Sequence, residues 1–222
     1  QRAYPNNYIN KQAYKEAVLQ SKQILANRSP ELTGEWTFVG PLNTGGRVTD
    51  VAISPDNDDH LYVATATGGI FRSYDAGANW TPIFDEEARL SIGDIAIAPS
   101  NAQIIYAGTG EANGSATDGA YFGDGIYRSE DAGDTWTHVG LPESNHIGRI
   151  VVDPTNPDRV FAAATGQLYG KNDERGIYRT TNGGGSWEQV LFVTDSTAAI
   201  DVAMNVANTN IIYAAMWERT RK

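Results

Sequence analysis

Apolar residues along most of this chain occur in short runs separated by turn-forming residues, not at the 3.6-residue spacing of a helix. Four kinds of run follow one another in a fixed order, and copies of the first kind end in Pro in three of four cases. Short apolar runs bounded by turn residues predict buried strands. The copies are residues 51–55, 95–99, 150–154 and 202–206 for the first run, 61–64, 105–108, 160–163 and 212–215 for the second, 69–73, 125–129 and 176–180 for the third, and 80–83, 136–139 and 187–190 for the fourth.

An aromatic residue in the second run allows the repeat to be measured. Tyr62, Tyr106, Phe161 and Tyr213 are separated by 44, 55 and 52 residues. Four short strands in a unit of about 40–55 residues are typical of a β-propeller blade. We therefore predict an all-β chain forming an incomplete β-propeller of about three and a half four-stranded blades. The predicted units are residues 46–83, 90–139, 146–190 and 198–222, the last of them truncated.

The first thirty residues have a different pattern. Asn10 is a candidate cap for a helix over residues 11–26, whose apolar and small residues recur at three- and four-residue spacing. Pro30 follows and disfavours helical geometry in the residue before it. We predict an N-terminal helical extension over residues 1–30 and a partial propeller over residues 31–222. Residues 36–39 are similar to an outermost strand, because Trp36 lies 44 residues before Trp80.

A turn motif connects the third and fourth runs of each complete unit and reads [ST]-x-[DN]-x-G-x-x-W. Its Asp or Asn side chain can accept backbone N–H groups, and its Gly can adopt a positive φ. The Trp is expected to bury its ring between strands. Three copies in register indicate a structural role. The motif residues are Ser73, Asp75, Gly77, Trp80, Ser129, Asp131, Gly133, Trp136, Thr180, Asn182, Gly184 and Trp187.

Composition narrows the possible functions. The chain has 222 residues and a net charge of −10, which disfavours binding to a nucleic-acid backbone. It has no Cys and three His, so we predict no metal site and no cofactor. No apolar run has the length of a transmembrane helix. The chain begins with Gln and contains too few blades to close a propeller, so we expect a segment of a longer protein.

The three turn motifs resemble the Asp-box of bacterial neuraminidase-type repeats, found in sialidases, xyloglucanase-type glycoside hydrolases and sortilin-like receptors. Further segments are similar to secreted bacterial sortilin-like propeller proteins, a group often described as glycosyl hydrolases. The segments that carry this resemblance are residues 40–41, 45–48, 91–94, 108–112, 146–149 and 213–219.

The resemblance implies a secreted or cell-surface protein of the bacterial envelope, often from Bacteroidota and often exported by type IX secretion. It also implies that the turn motifs lie on the outer rim, away from ligands. It does not extend to all catalytic features. The Arg-Ile-Pro signature of sialidases is absent, and Ala66 stands where xyloglucanase-type enzymes carry a catalytic Asp after strand two.

The loops between the second and third runs are the candidate ligand-binding elements. Nine residues separate Tyr62 from Phe71, whereas 21 and 17 residues separate the equivalent positions of the next two units. Insertions on one face of a repeat array commonly mark the binding face. Two interpretations stay open for these loops, namely a ligand site and a packed or solvated loop with a local ion pair. The candidate ligand-binding residues are Glu111, Asp118, Tyr121, Asp124, Tyr169 and Lys171.

Charged residues also stand where the first run of each unit begins. The set consists of Arg47, Asp50, Asp94, Arg149 and Asp201, in which both signs of charge alternate. A ring of mutually paired charges and a polar channel for a ligand are both compatible with the pattern. Arg47 and Arg149 are further candidate ligand-binding residues.

We interpret the chain as an extracellular binding module for a peptide, protein or glycan. The first alternative is a glycoside hydrolase of the Asp-box propeller type, with catalytic residues unknown, because carboxylates are too abundant to single out a pair. The second alternative is a secretion substrate bound to secretion or outer-membrane machinery. The absent catalytic signatures favour a protein that is not an enzyme.

Overall fold

The computed structural model describes residues 10–27, 46–112 and 121–218, which fall into two units. In the first unit, helix α1 spans Lys11–Ala26. The side chain of Asn10 accepts the backbone N–H of Ala13 at 2.9 Å and so caps the first turn, which confirms the predicted helix. The predicted strand at residues 36–39 lies outside the described residues.

The second unit is built of antiparallel sheets in which each strand pairs with the next along the chain. Within residues 46–112 and 121–218, three sheets have four strands and one has two, which confirms a β-propeller arrangement of blades. Blade 1 contains β1 (Val48–Ile53), β2 (Leu61–Thr65), β3 (Ile70–Ser73) and β4 (Thr81–Pro82); blade 2 contains β5 (Ile92–Ala98), β6 (Asn101–Thr109), β7 (Ile126–Ser129) and β8 (Thr137–Gly140); blade 3 contains β9 (Ile147–Asp153), β10 (Asn156–Ala164), β11 (Gly176–Thr180) and β12 (Glu188–Leu191); blade 4 contains β13 (Thr197–Met204) and β14 (Ile212–Glu218).

The core of this unit lies between blades. The first strand of each blade contacts the first strand of the next, so β1, β5, β9 and β13 are the innermost strands. Separate apolar clusters join blade 1 to blade 2, blade 2 to blade 3 and blade 3 to blade 4. Tyr62 and Tyr106 are fully buried in the first two clusters. Tyr62, Tyr106 and Phe161 therefore mark equivalent core positions in successive blades, whereas Tyr213 in blade 4 is 61% exposed.

The three repeated turns, residues 73–80, 129–136 and 180–187, have the same hydrogen bonds. The Ser129 hydroxyl donates to Asp131 at 2.8 Å and accepts the N–H of Gly133 at 2.8 Å. Asp131 in turn accepts the N–H of Thr135 at 2.8 Å. The turns that begin at Ser73 and Thr180 repeat these contacts to within 0.2 Å. The turn geometry is thus a property of the motif and not of one blade.

The tryptophans that end these turns contact the preceding blade, and this differs in detail from the prediction. Trp136 donates its indole N–H to the carbonyl of Ile83 at 2.8 Å, and Trp187 donates to Val139 at 2.7 Å. These two rings are half-buried, whereas Trp80 on blade 1 is 41% exposed. The prediction of a buried ring is therefore wrong for Trp80. The indole covers the fourth strand of the preceding blade, so the burial of each ring depends on that neighbour.

Among the described residues, no helix is long and apolar enough to cross a membrane.

Candidate functional site

The long loops and the starts of the innermost strands lie at the same end of the blades. The antiparallel register places the end of β6 opposite the start of β5, where Thr109 pairs with Ile92. The end of β10 likewise lies opposite the start of β9, where Ala164 pairs with Ile147. We call this end of the blades the upper face. It contains the described candidate ligand-binding residues and the ring of charges.

A buried carboxylate stands at this face beside a cation from a different blade. Glu111 follows β6 and is 5% exposed, and its carboxylate pairs with the guanidinium of Arg47. The backbone N–H of Glu111 donates to the Ser91 hydroxyl at 3.3 Å. Arg47 therefore pairs with Glu111, a residue outside the set of charges at the starts of the innermost strands. The long loop after β6 carries Glu111 to Arg47, which precedes β1.

The remaining charges of the predicted ring form a compact cluster around Arg149. Its guanidinium lies 2.9 Å from Asp94 and 3.2 Å from Asp201, and 3.9 Å from Asp50. Asp94 is 2% exposed. Burial raises the pKa of Asp94 to about 8, with Arg149 opposing the shift and Asp50 adding to it. The paired-charge interpretation therefore describes this part of the ring.

Two of these carboxylates also join neighbouring innermost strands. Asp50 accepts the backbone N–H of Ile95 in the next blade at 3.2 Å, and Asp94 accepts that of Ile150 at 2.7 Å. Arg149 occupies the equivalent position in blade 3. An Asp at this position satisfies a backbone donor of the next blade, which gives the cluster a structural function as well.

The described part of the blade 2 loop is held to the sheet. Asp124 receives a hydrogen bond from the Tyr127 hydroxyl at 3.1 Å, and its backbone N–H donates to Thr109 at 2.9 Å. Tyr121 is 38% exposed, and its carbonyl accepts the Ser91 hydroxyl at 3.0 Å. The candidate Asp118 lies outside the described residues.

The blade 3 loop is organised around Arg175, which is fully buried. Its guanidinium donates to the carbonyls of Thr165 at 3.1 Å and Gly170 at 2.6 Å, and also to that of Gln167. Asn172 supplies a fourth acceptor at 3.1 Å. Burial lowers the pKa of Arg175, and the nearby Asp195 opposes this shift.

Both ligand-binding candidates on this loop are exposed to solvent. Tyr169 is 55% exposed. Lys171 is also exposed and lies 3.2 Å from Asp195, which follows β12. The loop therefore presents an aromatic ring and an ion pair above a backbone that Arg175 fixes. Sequence reasoning missed Arg175 because a charged residue in a polar loop has no pattern that signals burial.

His146 is a second residue that sequence reasoning did not single out as a site residue. It directly precedes β9 and is 1% exposed. Its Nδ1 lies 2.9 Å from the carbonyl of Gly166 in the blade 3 loop. The ring of Phe122 lies edge-on to it at 6.4 Å. His146 thus connects the two long loops of the upper face.

Ala66 stands where the resemblance to xyloglucanase-type enzymes predicts an Asp. Ala66 follows β2 at the upper face and is 4% exposed, and its backbone N–H donates to the carbonyl of Arg47 at 3.0 Å. A methyl group cannot transfer a proton. No group of three or more His, Asp or Glu positioned for a metal ion occurs within residues 10–27, 46–112 and 121–218.

Curated relatives of the chain include two xyloglucanases. The chain is 26% identical over 203 residues to the enzyme from Paenibacillus sp., covering 85% of this chain and 19% of that protein. It is 28% identical over 175 residues to the enzyme from Hypocrea jecorina, covering 72% and 19%. A vacuolar protein sorting/targeting protein 10 from Kluyveromyces lactis is 36% identical over 87 residues, covering 38% and 5%. The chain spans about a fifth of the length of these xyloglucanases, and no family profile matches it.

Solved structures agree on the fold. An ancestral GH74 enzyme matches with a TM-score of 0.64 and 24% identity, covering 79% of this chain and 22% of that one. The GH74 xyloglucanase from Xanthomonas campestris matches with a TM-score of 0.58 and 23% identity, covering 78% and 28%. At these identities the matches support a β-propeller, which the blade topology described above already indicates.

Proposed function

We propose that this chain forms blades of a β-propeller glycoside hydrolase that acts on a xyloglucan-class glycan. The observation that carries the proposal is the similarity to two curated xyloglucanases over 85% and 72% of the chain. The same similarity supports a secreted protein, and export by type IX secretion from a Bacteroidota species stays a prediction. Cell fractionation followed by detection of the protein outside the cells tests the localisation.

The upper face is the proposed glycan-binding surface. It combines exposed aromatic residues, Tyr121 and Tyr169, with the charged pair Arg47 and Glu111. Sugar sites are mostly apolar and aromatic, with a few polar groups that fix orientation. Because Arg47 is 49% exposed, its guanidinium remains accessible beside the buried carboxylate. We propose Glu111 as the carboxylate of this surface that lies nearest to a bound sugar.

Glycoside hydrolysis uses two carboxyl groups on opposite sides of the scissile bond. With Ala66 at the position of one of them, this chain does not supply that carboxylate from blade 1. The proposal therefore assigns no catalytic residue within the chain.

Assignment of the repeated turns to the Asp-box type also belongs to the proposal. It is supported by the hydrogen bonds that the three turns share.

The test measures xyloglucan binding and reducing-sugar release together. We expect the complete propeller protein that contains these blades to release sugar from xyloglucan. In that protein, Glu111→Gln should lower the affinity for xyloglucan or the sugar release at least tenfold, which corresponds to about 1.4 kcal/mol. Glu188→Gln is the matched control. Glu188 lies on β12, the outermost strand of blade 3, and forms an exposed ion pair with Arg179. Neither binding nor release from xyloglucan would contradict the proposal.

A second candidate function is a binding module without hydrolysis, and the methyl group of Ala66 favours it. Binding of xyloglucan without any sugar release would support this function over hydrolysis. Binding of a peptide or protein, or of secretion machinery, stays a prediction. Affinity capture with a protein carrying the Arg47→Ala and Glu111→Gln substitutions, compared with the unmodified protein, tests it.

A further inference from the structure

The groove between blades 1 and 2 can be compared with the groove between blades 2 and 3, because both lie between repeats of the same sequence pattern. In the groove between blades 1 and 2, Phe84 is 1% exposed. Its ring lies edge-on to Tyr127 at 5.2 Å and to Trp136 at 5.1 Å. Phe84 directly follows Ile83, whose carbonyl accepts the indole N–H of Trp136. A six-membered ring from the chain itself therefore fills this groove.

The groove between blades 2 and 3 has the same walls but a different filling. Tyr178 and Trp187 occupy the places of Tyr127 and Trp136 in the repeat, and Trp187 donates to the carbonyl of Val139. The residue after Val139 is Gly140, so it contributes no ring. A Cβ at Gly140 would lie 2.7 Å from the Trp187 indole, which excludes a larger side chain there.

A pocket of about 280 Å³ lies beside the two aromatic residues of this second groove. Glu143 and Ser144 border it from the loop before β9, and Glu174 borders it from the loop before β11. Leu141 also lines it with a φ of 56°, a left-handed conformation that is strained for a branched side chain. The chain thus keeps an unfavourable backbone conformation next to an open, ring-sized space.

The residues that line the pocket indicate which class of ligand it can bind. Aromatic walls offer flat apolar surface, and the carboxylates of Glu143 and Glu174 accept hydrogen bonds. Within the described lining there is no Lys, Arg or His, so an anionic ligand would meet negative charge alone. A neutral ring bearing hydroxyl groups satisfies both features. In the groove between blades 1 and 2, the phenyl ring of Phe84 packs edge-on against the matching Tyr and Trp.

We propose that the groove between blades 2 and 3 is a binding site for a single neutral pyranose ring, lined by Tyr178, Trp187, Glu143 and Glu174. Arg47 and Glu111 do not line this pocket. The proposal rests on the proposed function for the class of ligand, because a neutral glycan is its expected substrate. Its role would be to hold a further part of a long glycan beside the loops that precede β9 and β11.

The experiment uses fluorine NMR of the protein labelled with 5-fluorotryptophan, titrated with methyl β-D-glucopyranoside and, separately, methyl α-D-xylopyranoside. Trp187→Phe and Trp136→Phe identify the two resonances. We expect a saturable shift of the Trp187 signal at millimolar sugar and no shift of the Trp136 signal, because Phe84 covers that ring. Exchange of both carboxylates in Glu143→Gln/Glu174→Gln should weaken binding at least about tenfold.

Several outcomes would overturn the proposal. An unshifted Trp187 signal across the titration excludes the site, as does an undiminished affinity in the double carboxylate variant. A shift with argininamide but with neither sugar assigns the pocket to a basic side chain, because a cation also binds aromatic faces. Glu188→Gln serves as the carboxylate control and should leave the titration unchanged.

The outcome is distinguishable from that of the proposed function. Sugar binding at Trp187 in a protein that neither binds nor cleaves xyloglucan would support the pocket and contradict the substrate. Cleavage of xyloglucan without any shift of the Trp187 signal in the sugar titrations would support the proposed substrate and contradict the proposed pocket.

Discussion

Asp94 in the second blade accepts the backbone N–H of Ile150 in the third blade at 2.7 Å, and it does so from a nearly fully buried position. The same carboxyl lies 2.9 Å from the guanidinium of Arg149 and next to Asp50. One side chain thus joins two blades and carries the most strongly shifted carboxyl pKa of the described upper face.

Asp94 should make stability depend on pH. Its pKa rises from 3.8 to about 8 on folding, so between these values the folded state holds a proton that the unfolded state has released. The free energy of unfolding therefore falls as pH rises through this window, by up to about 1.4 kcal/mol per pH unit. Asp94→Asn does not titrate, yet its amide can donate to Asp50 as a protonated Asp94 would. Urea unfolding of this variant should show a flatter pH dependence.

The exposed Asp58→Asn serves as the control for this measurement and should keep the unmodified slope. Asp75 and Asp153 act in a separate window, because hydrogen bonds lower their pKa values to about 2. The stability they contribute is lost as pH falls below about 4. An equal slope for Asp94→Asn and the unmodified protein between about pH 4 and 8 would show that Asp94 stays ionised.

The repeated turns should depend on their first hydroxyl. Ser129 is buried and accepts the N–H groups of Gly133 at 2.8 Å and Asp131 at 3.3 Å. Ser129→Ala leaves these donors without that acceptor, so we expect a loss of about 1–3 kcal/mol in the free energy of unfolding. Chemical denaturation measures it, with the exposed Ser100→Ala as the control. Equal stability of both variants would contradict a structural role for the turn.

The ion pair of Arg47 and Glu111 should respond asymmetrically to substitution. Arg47→Met leaves a carboxylate that is 6% exposed without its cation, which costs about 3 kcal/mol or more. Glu111→Gln should cost less, because the half-exposed guanidinium can turn to water. Denaturation of both variants and of the double variant gives the coupling energy. A larger loss for Glu111→Gln than for Arg47→Met would be inconsistent with this geometry.

Arg175 should determine the conformation of the blade 3 loop. Arg175→Lys replaces a planar group with five donors by one with three, which cannot reproduce four separate contacts. We expect faster amide hydrogen exchange across residues 165–172 and a loss of about 2–3 kcal/mol. Lys171→Met is the control, since Lys171 forms an exposed ion pair. Unchanged exchange in Arg175→Lys would contradict the assignment.

Most of the fold could be predicted from local patterns in the sequence. The order of short apolar runs predicted the four strands of each blade, because strand formation and turn chemistry depend on neighbours in sequence. The repeated turns were equally readable, since Ser129 and Asp131 bind backbone groups within four residues. The candidate site could be predicted only in part. Its loops were identified by their lengths, but the pairing of Arg47 with Glu111 was not predicted.

Local patterns were enough to establish the blade repeat, the turns and the capped helix, because each rests on contacts between residues close along the chain. Which charges meet depends on the tertiary fold, since Arg47 and Glu111 are separated by 64 residues. The burial of Arg175 and the pocket beside Tyr178 and Trp187 depend on the tertiary fold as well. Packing between blades joins distant segments at a register that no local pattern encodes, and the proposed sites lie along these junctions.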